Sequence, residues 1–102
     1  AGALDVQGKL TVDDGAARAL GKGNSLLPVG VVAITGDFRR GDVVELYGAD
    51  GAVLGRGLAE YSGSDAASIA GCQSEQIEEI LGHRGRTVMI HRDELVLFDH
   101  DD

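Results

Sequence analysis

One cysteine, one histidine and one aspartate carry the atoms of a thiol-based catalytic triad: Cys72, His91 and Asp93. Such a triad needs the thiol and the imidazole in hydrogen-bond contact, with a third group that orients the imidazole. One residue of each type is expected by chance in a chain of 102 residues. We therefore interpret Cys72 as an ordinary, partly buried thiol. The acidic residues of segment 74–82 have no His or Cys at ligand spacing. The sequence predicts no catalytic residue, no bound cofactor and no metal ligand.

The basic residues that could contact phosphate groups lie in short turns. Segment 21–25 (GKGNS) lacks the spacing of a phosphate-binding loop and a preceding strand, so we interpret it as a helix end and a turn. Arg39 and Arg40 form the only basic doublet, but Asp37 and Asp42 beside them indicate a self-neutralised turn. The candidate contacts with RNA or a partner are Lys22, Gly23, Arg39, Arg40, His91 and Arg92.

Three polar residues, His91, Arg92 and Asp93, separate two apolar segments near the end of the sequence. A plain turn at that point would favour Gly or Asn. We predict a hydrogen-bonded corner in which Asp93 pairs with Arg92 or caps a turn. The alternative is a corner that contacts a ligand or a partner.

The charge distribution limits the partners of the chain. Its 17 acidic and nine basic residues give a net charge of -8. Residues 1–42 are neutral, so the whole net charge lies in residues 43–102. Nucleic-acid affinity depends largely on Lys and Arg that neutralise phosphates, and no aromatic residue stands among the basic ones to stack a base. We expect RNA binding to be weak or absent, and any RNA site to lie mainly in the first half.

The cysteine content and the hydropathy of the sequence indicate the cellular compartment of the protein. A single cysteine excludes an internal disulfide and fits a reducing environment. The sequence contains no run of about 18 apolar residues and no basic-then-apolar signal pattern. These features predict a soluble, cytoplasmic protein with no membrane partner. The chain begins at Ala1 without Met, so we expect it to be part of a longer protein.

The apolar pattern predicts short strands joined by tight turns and a few short helices. The chain is centred on residues 25–42, in which Pro28 precedes a β-branched run that favours a strand. Six strands are predicted, over 9–12, 29–34, 43–47, 52–58, 87–90 and 95–98. Helices are predicted over 15–20 after a cap at Asp13 or Asp14, over 66–69 after a cap at Ser64 or Asp65, and over 75–81 after a cap at Ser74. The expected fold is one mainly β domain with short helices, arranged as a small mixed barrel.

Five motifs in unbroken order resemble the C-terminal PUA domain of bacterial glutamate 5-kinase. They are 10–16 (LTVDDGA), 25–30 (SLLPVG), 36–42 (GDFRRGD), the segment 69–82 with IAG, SEQI and ILG, and 91–93 (HRD). Each motif alone is weak, but five in this order are highly specific. The resemblance implies a PUA-like mixed pseudo-barrel of about six strands over residues 8–98. Residues 1–7 are then expected to be a linker remnant, and residues 99–102 a disordered tail.

The resemblance also implies a function. In glutamate 5-kinase the PUA domain follows an amino-acid-kinase domain that phosphorylates the γ-carboxylate of L-glutamate with MgATP, the first step of proline synthesis. None of the family's ATP, glutamate or proline sites matches these 102 residues. The expected role is therefore a non-catalytic, structural or regulatory domain that packs against the kinase domain or a neighbouring subunit of a homo-oligomer. The alternative is an RNA-binding module that uses Lys22, Gly23, Arg39 and Arg40 as phosphate contacts, because PUA domains are usually associated with RNA.

Overall fold

A five-stranded mixed sheet forms the frame of the molecule. The computed structural model describes residues 5–82 and 85–98. The strands are β1 (Gly8–Val12), β2 (Val31–Thr35), β3 (Val43–Tyr47), β4 (Val53–Leu58) and β5 (Leu95–Leu97). The helices are α1 (Asp14–Gly21), α2 (Gly63–Ile69) and α3 (Ser74–Leu81), with 3-10 turns at Pro28–Gly30 and Arg92–Glu94. The mainly β, mixed fold class predicted from the sequence is confirmed.

The strands follow the order β2-β1-β3-β4-β5 across the sheet. β1 runs parallel to β3, and the other neighbouring pairs are antiparallel. The register places Lys9 beside Glu45, Glu45 beside Arg56, and Arg56 beside Val96. Because side chains alternate between the faces of a strand, these four residues form one row on the face opposite the core.

The β3–β4 hairpin has the turn that the Asp50-Gly51 pair predicts. Gly51 has a φ of 87°, a left-handed conformation that favours glycine. The Asp50 carboxylate accepts a hydrogen bond from the Ala52 backbone N–H at 3.0 Å. Both flanking strands lie where the sequence predicts them.

The N-terminal caps of the helices agree with the prediction only at α1. Asp13 caps α1, because its carboxylate accepts a hydrogen bond from the Ala16 N–H at 2.7 Å. Ser62, rather than Ser64 or Asp65, caps α2. At α3 the cap is Gln73 rather than Ser74, in a reciprocal capping box with Gln76. α3 ends at Gly82 in the left-handed conformation, as predicted.

Two of the predicted strands are wrong in part. Pro28 begins a 3-10 turn, so β2 begins only at Val31. Segment 87–90 forms a single bridge, between Ile90 and Leu26, instead of a sixth strand. The described residues therefore contain five strands where about six were expected. The predicted tail 99–102 and residues 1–4 lie outside the described residues.

The core lies between the sheet and the helices, and connecting segments supply several of its largest side chains. Phe38, Met89 and Ile90 belong to no strand, yet each is at most 1 % exposed. The other buried apolar residues come from strands, helices and connections: Leu10, Val12, Leu20, Leu26, Val31, Val44, Leu46, Ala59, Tyr61, Ala66, Ile69 and Ile77. Ile80, predicted on the buried face of α3, is 41 % exposed.

Candidate functional site

Two of the six predicted contact residues, Arg40 and His91, line one groove. We call it the charged groove, because Glu60, Arg86, Asp93 and Glu94 also line it; Ser25 belongs to the lining as well. The groove has a volume of about 860 Å³. The groove therefore brings basic side chains and carboxylates together, and most of these residues lie in the segments that connect the strands.

The other predicted contact residues lie outside the lining of the charged groove. Lys22 caps the C-terminal end of α1, and Gly23 follows it with a φ of 89°. Their backbone N–H groups donate to the carbonyls of Ala19 and Leu20, so the segment is a helix end, as predicted. Arg39 is an exposed residue whose backbone N–H donates to the Asp42 carboxylate at 2.8 Å. Asp42 thus satisfies the backbone of the turn.

The predicted corner exists, but His91 forms its cap rather than Asp93. The Asp93 N–H donates to His91 Nδ1 at 3.1 Å. The Arg92 N–H donates to Ser25 Oγ at 2.9 Å, which ties the corner to a residue 67 positions earlier in the chain. The Asp93 carboxylate lies 3.6 Å from His91 Nδ1, and its side chain is 78 % exposed. Because His91 Nδ1 accepts the backbone hydrogen bond and the Asp93 carboxylate is exposed, the ion pair is not what holds the corner.

We expect the His91→Ala substitution to destabilise the chain by about 0.5–2 kcal/mol, the usual range for a lost cap. Asp93→Ala is expected to change the unfolding free energy by less than about 0.5 kcal/mol, because it removes only an exposed pair. Urea unfolding of both variants measures the two effects. A larger loss for Asp93→Ala than for His91→Ala would contradict the assignment of the cap.

Glu60 is the most enclosed charged residue of the groove. Its side chain is 12 % exposed, and its Oε1 lies 3.0 Å from Arg86 Nε. Burial and the nearby Glu94 carboxyl raise the pKa of Glu60, while the charges of Arg40 and His91 oppose the shift. Glu94 belongs to the 3-10 turn that precedes β5, so both carboxyl groups line the charged groove.

A raised carboxyl pKa means that the folded state binds the proton more tightly than the unfolded state does. The stabilisation is present below the unfolded value of about 4.3 and is lost as the pH rises through the folded pKa. We therefore expect Glu60→Gln to gain stability relative to the parent as the pH rises from about 4 to about 8. Urea midpoints measured across that range test this. A variant that loses stability as the pH rises would show that the Arg86 ion pair dominates.

Glu45→Gln is a control for Glu60→Gln, because the pKa of Glu45 is shifted in the opposite direction. The Tyr47 hydroxyl donates to Glu45 Oε1 at 2.7 Å, and Arg56 Nε lies 3.4 Å from Oε2. The hydrogen bond from Tyr47, together with Arg56 and Lys9, lowers the pKa of Glu45 despite its burial. Its stabilisation is present above the ordinary value and is lost as the pH falls through the folded pKa. We expect Glu45→Gln to be less stable than the parent at neutral pH, with a difference that shrinks in acid.

The row of residues on the outer face brings cations over aromatic rings, which the sequence analysis did not predict. Lys9 Nζ lies 5.4 Å from the centroid of the Tyr47 ring. Arg56 Cζ lies 5.6 Å from the centroid of the Phe98 ring. The expectation that no aromatic residue stands among the basic ones is therefore wrong: the strand register brings Tyr47 and Phe98 beside Lys9 and Arg56. Glu45 lies between the two cations and offsets the charge of one of them, which leaves the row with a single net positive charge.

A second, mostly apolar groove runs between α1 and the 3-10 turn that precedes β2. We call this the α1 groove; it has a volume of about 560 Å³ and is lined chiefly by Asp13, Ala16, Ala19, Leu26, Leu27 and Val29. Leu27 and Val29 are 43 % and 39 % exposed. Gly30 allows the turn to approach the helix, because a Cβ at this position would lie 2.5 Å from Ala16 Cβ. The sequence analysis missed this groove because it placed Val29 in a strand.

Residues 5–82 and 85–98 contain no group of three or more His, Cys, Asp or Glu side chains that could hold a metal ion. Every helix within them is too short or too polar to cross a bilayer.

The mixed sheet with short helices on its core face is the fold of a PUA domain, and the family model described as "PUA domain" matches residues 8–81. The chain therefore belongs to the PUA domain family.

Glutamate 5-kinases are among the curated relatives of the chain. The enzyme of Jannaschia sp. is 54 % identical over 96 residues, which are 94 % of this chain and 26 % of that enzyme. The enzyme of Rhodospirillum rubrum is 52 % identical over 104 residues, which cover 99 % of this chain and 28 % of that enzyme. The chain thus spans about a quarter of the length of these relatives, and corresponds to their PUA portion.

Solved structures agree on the fold. A PUA domain of Aeropyrum pernix, solved as a tartrate complex, is 35 % identical with a TM-score of 0.60, and the match covers 82 % of this chain and 41 % of that one. A PUA domain protein of Thermoplasma acidophilum is 20 % identical with a TM-score of 0.57, and the match covers 92 % of this chain and 50 % of that one. The second likeness concerns the fold alone.

Proposed function

We propose that this chain is the C-terminal, non-catalytic accessory domain of a cytoplasmic glutamate 5-kinase, over residues 8–98. In that enzyme an amino-acid-kinase domain phosphorylates L-glutamate with MgATP in the first step of proline synthesis. The chain itself binds no MgATP. Its role is structural or regulatory, through contacts with the kinase domain of the same polypeptide or with a second subunit.

The observation that carries this proposal is the combination of high identity with partial coverage. Identity of 54 % over 94 % of the chain supports a common role for the aligned residues. Coverage of 26 % of the relative leaves about three quarters of that enzyme for the chemistry. The two surface grooves are lined by side chains suited to contacts with another domain.

RNA binding is the less favoured alternative. It would rest on the basic turns of the first half and on the cations over rings at the outer face. Against it stand the net charge of -8 and the carboxylates beside Arg40 and Arg56. We expect labelled structured RNA to bind weakly at about 0.15 M salt, the physiological ionic strength.

A chimera tests the proposed function. The PUA portion of the Jannaschia sp. glutamate 5-kinase is replaced by this chain, and the formation of γ-glutamyl phosphate is measured with a coupled assay. We expect activity within about tenfold of the parent enzyme, a change in barrier of at most about 1.4 kcal/mol. The same enzyme without its PUA portion is the control, and this chain alone is expected to have no turnover.

Two outcomes would contradict the proposed function. One is a soluble chimera that has lost glutamate phosphorylation while the parent enzyme is active under the same conditions. The other is saturable MgATP binding by this chain in calorimetry, since a non-catalytic domain has no reason to bind the kinase substrate.

A further inference from the structure

We propose that the α1 groove is the docking site for an apolar segment of the kinase portion of the same polypeptide. This inference rests on the proposed function and adds to it the surface through which the domain is held. The groove is about 560 Å³, enough for a few apolar side chains.

The apolar side chains exposed at the rim of the α1 groove favour a surface that a partner segment covers. Leu27 and Val29 stand next to the buried Leu26 and Pro28, so two large apolar side chains project where their neighbours are enclosed. Apolar surface gathered along a groove marks an interaction site more often than scattered exposed residues do. The two walls of the groove are in direct contact at its floor: Gly30 packs against Ala16, and the Asp13 N–H donates to the Gly30 carbonyl at 3.0 Å.

The charge of the groove favours a protein segment over RNA. Among the described residues, Asp13 is the only charged side chain that lines it. Lys22 lies at the exposed C-terminal end of α1, outside the lining. RNA would bring phosphates to a carboxylate without a cation to neutralise them. Asp13 Oδ1 already accepts the Ala16 N–H, so the partner segment needs only a donor for the other carboxylate oxygen.

The length of the relatives indicates the source of that segment. This chain covers 26 % to 28 % of the glutamate 5-kinases that it matches, so most of such a polypeptide lies outside the matched region. A segment of the same polypeptide docks at high effective concentration, so a shallow apolar groove is sufficient to hold it. We therefore assign the groove to the kinase portion rather than to a second copy of this domain.

Hydrogen exchange of the chimera, compared with that of this chain alone, tests the inference. We expect the amides of residues 25–30, apart from Pro28, which has no N–H, to exchange at least about tenfold more slowly in the chimera. The reason is that docking must be broken before they open. Leu27→Ser combined with Val29→Ser is expected to restore the exchange rate of the chain alone. Val29→Thr, which keeps the side-chain shape, is a milder second variant in case the double variant folds poorly.

Val96→Ser is the matched control. Val96 is 65 % exposed on β5, away from the α1 groove, so its loss of apolar surface is expected to leave the protection of residues 25–30 unchanged.

Three results would overturn the docking site. An active chimera whose residues 25–30 exchange as fast as in the chain alone would refute it and leave the proposed function intact. So would equal effects of Val96→Ser and of the double variant. Protection of the same amides in the chain alone by structured RNA, with none in the chimera, would assign the groove to RNA. An inactive chimera would instead contradict the proposed function on which the inference rests.

Discussion

Phe38→Ala is expected to destabilise the chain by about 3–5 kcal/mol, the usual cost of removing a buried ring. Phe38 is 1 % exposed, although it lies in a connection between strands. Its ring packs against the backbone of Gly8 and Gly63, which have no side chains to move into the space. The cavity would therefore stay open. For a domain whose total stability is of the order of 5–15 kcal/mol, this is a large fraction.

Phe98→Ala is the matched control for that prediction. The Phe98 ring lies half-buried on the outer face, where Arg56 covers it, so its removal leaves no closed cavity. We expect a loss of about 1 kcal/mol or less in urea unfolding, with an unchanged slope. Phe38→Leu is expected to fall between the two if the alanine variant is too unstable to purify. Equal losses for Phe38→Ala and Phe98→Ala would show that Phe38 does not fill the core.

Elements that depend on neighbouring residues could be predicted from the sequence. The β3–β4 hairpin follows from Asp50-Gly51 between two apolar segments, and the structure has that turn. Helix α1 follows from Asp13, whose carboxylate meets an N–H only three residues later. In both cases the decisive contact spans a few residues, so composition and spacing determine it.

Elements that depend on distant partners could not be predicted. Segment 87–90 has the composition of a strand, but its backbone forms one bridge, between Ile90 and Leu26. The Met89 N–H donates to the Leu26 carbonyl, and the Met89 carbonyl accepts from the Glu60 N–H, so no ladder forms with either neighbour. A β-branched run is favourable in any buried position, because it packs well whether or not a ladder forms. Pro28 illustrates the same limit, since its fixed φ suits a strand entrance and a 3-10 turn equally.

The charged groove depends on long-range pairing in the same way. Arg40 and His91 could be selected from the sequence because basic residues in turns are exposed. Glu60 could not, because it follows β4 and lines the same groove as Glu94 only when β4 and β5 pair. The contacts of Lys9 with the Tyr47 ring and of Arg56 with the Phe98 ring likewise depend on the register of the strands. That register could not be read from the sequence.

Gly55→Ala is expected to destabilise the chain by about 1–3 kcal/mol, because a methyl group has no room at that position. Gly55 lies opposite Leu97 in the β4–β5 pair, and a Cβ there would lie 2.8 Å from Leu97 Cα and still closer to the Val96 carbonyl oxygen. Backbone atoms cannot rotate away as a side chain can. The edge strand β5 must therefore shift, and Leu97 loses its place beside β4.

Gly21→Ala separates this steric effect from the general effect of replacing glycine. Gly21 is the last residue of α1, and a Cβ there would meet nothing within 4 Å. Alanine is expected to leave the stability unchanged or to raise it by up to about 1 kcal/mol, because it favours the helix. Urea midpoints of the two variants, with hydrogen exchange of residues 95–97, measure the contrast. If Gly55→Ala kept both the parent midpoint and the protection of β5, the close approach of β4 and β5 would be contradicted, since only that contact makes this glycine necessary.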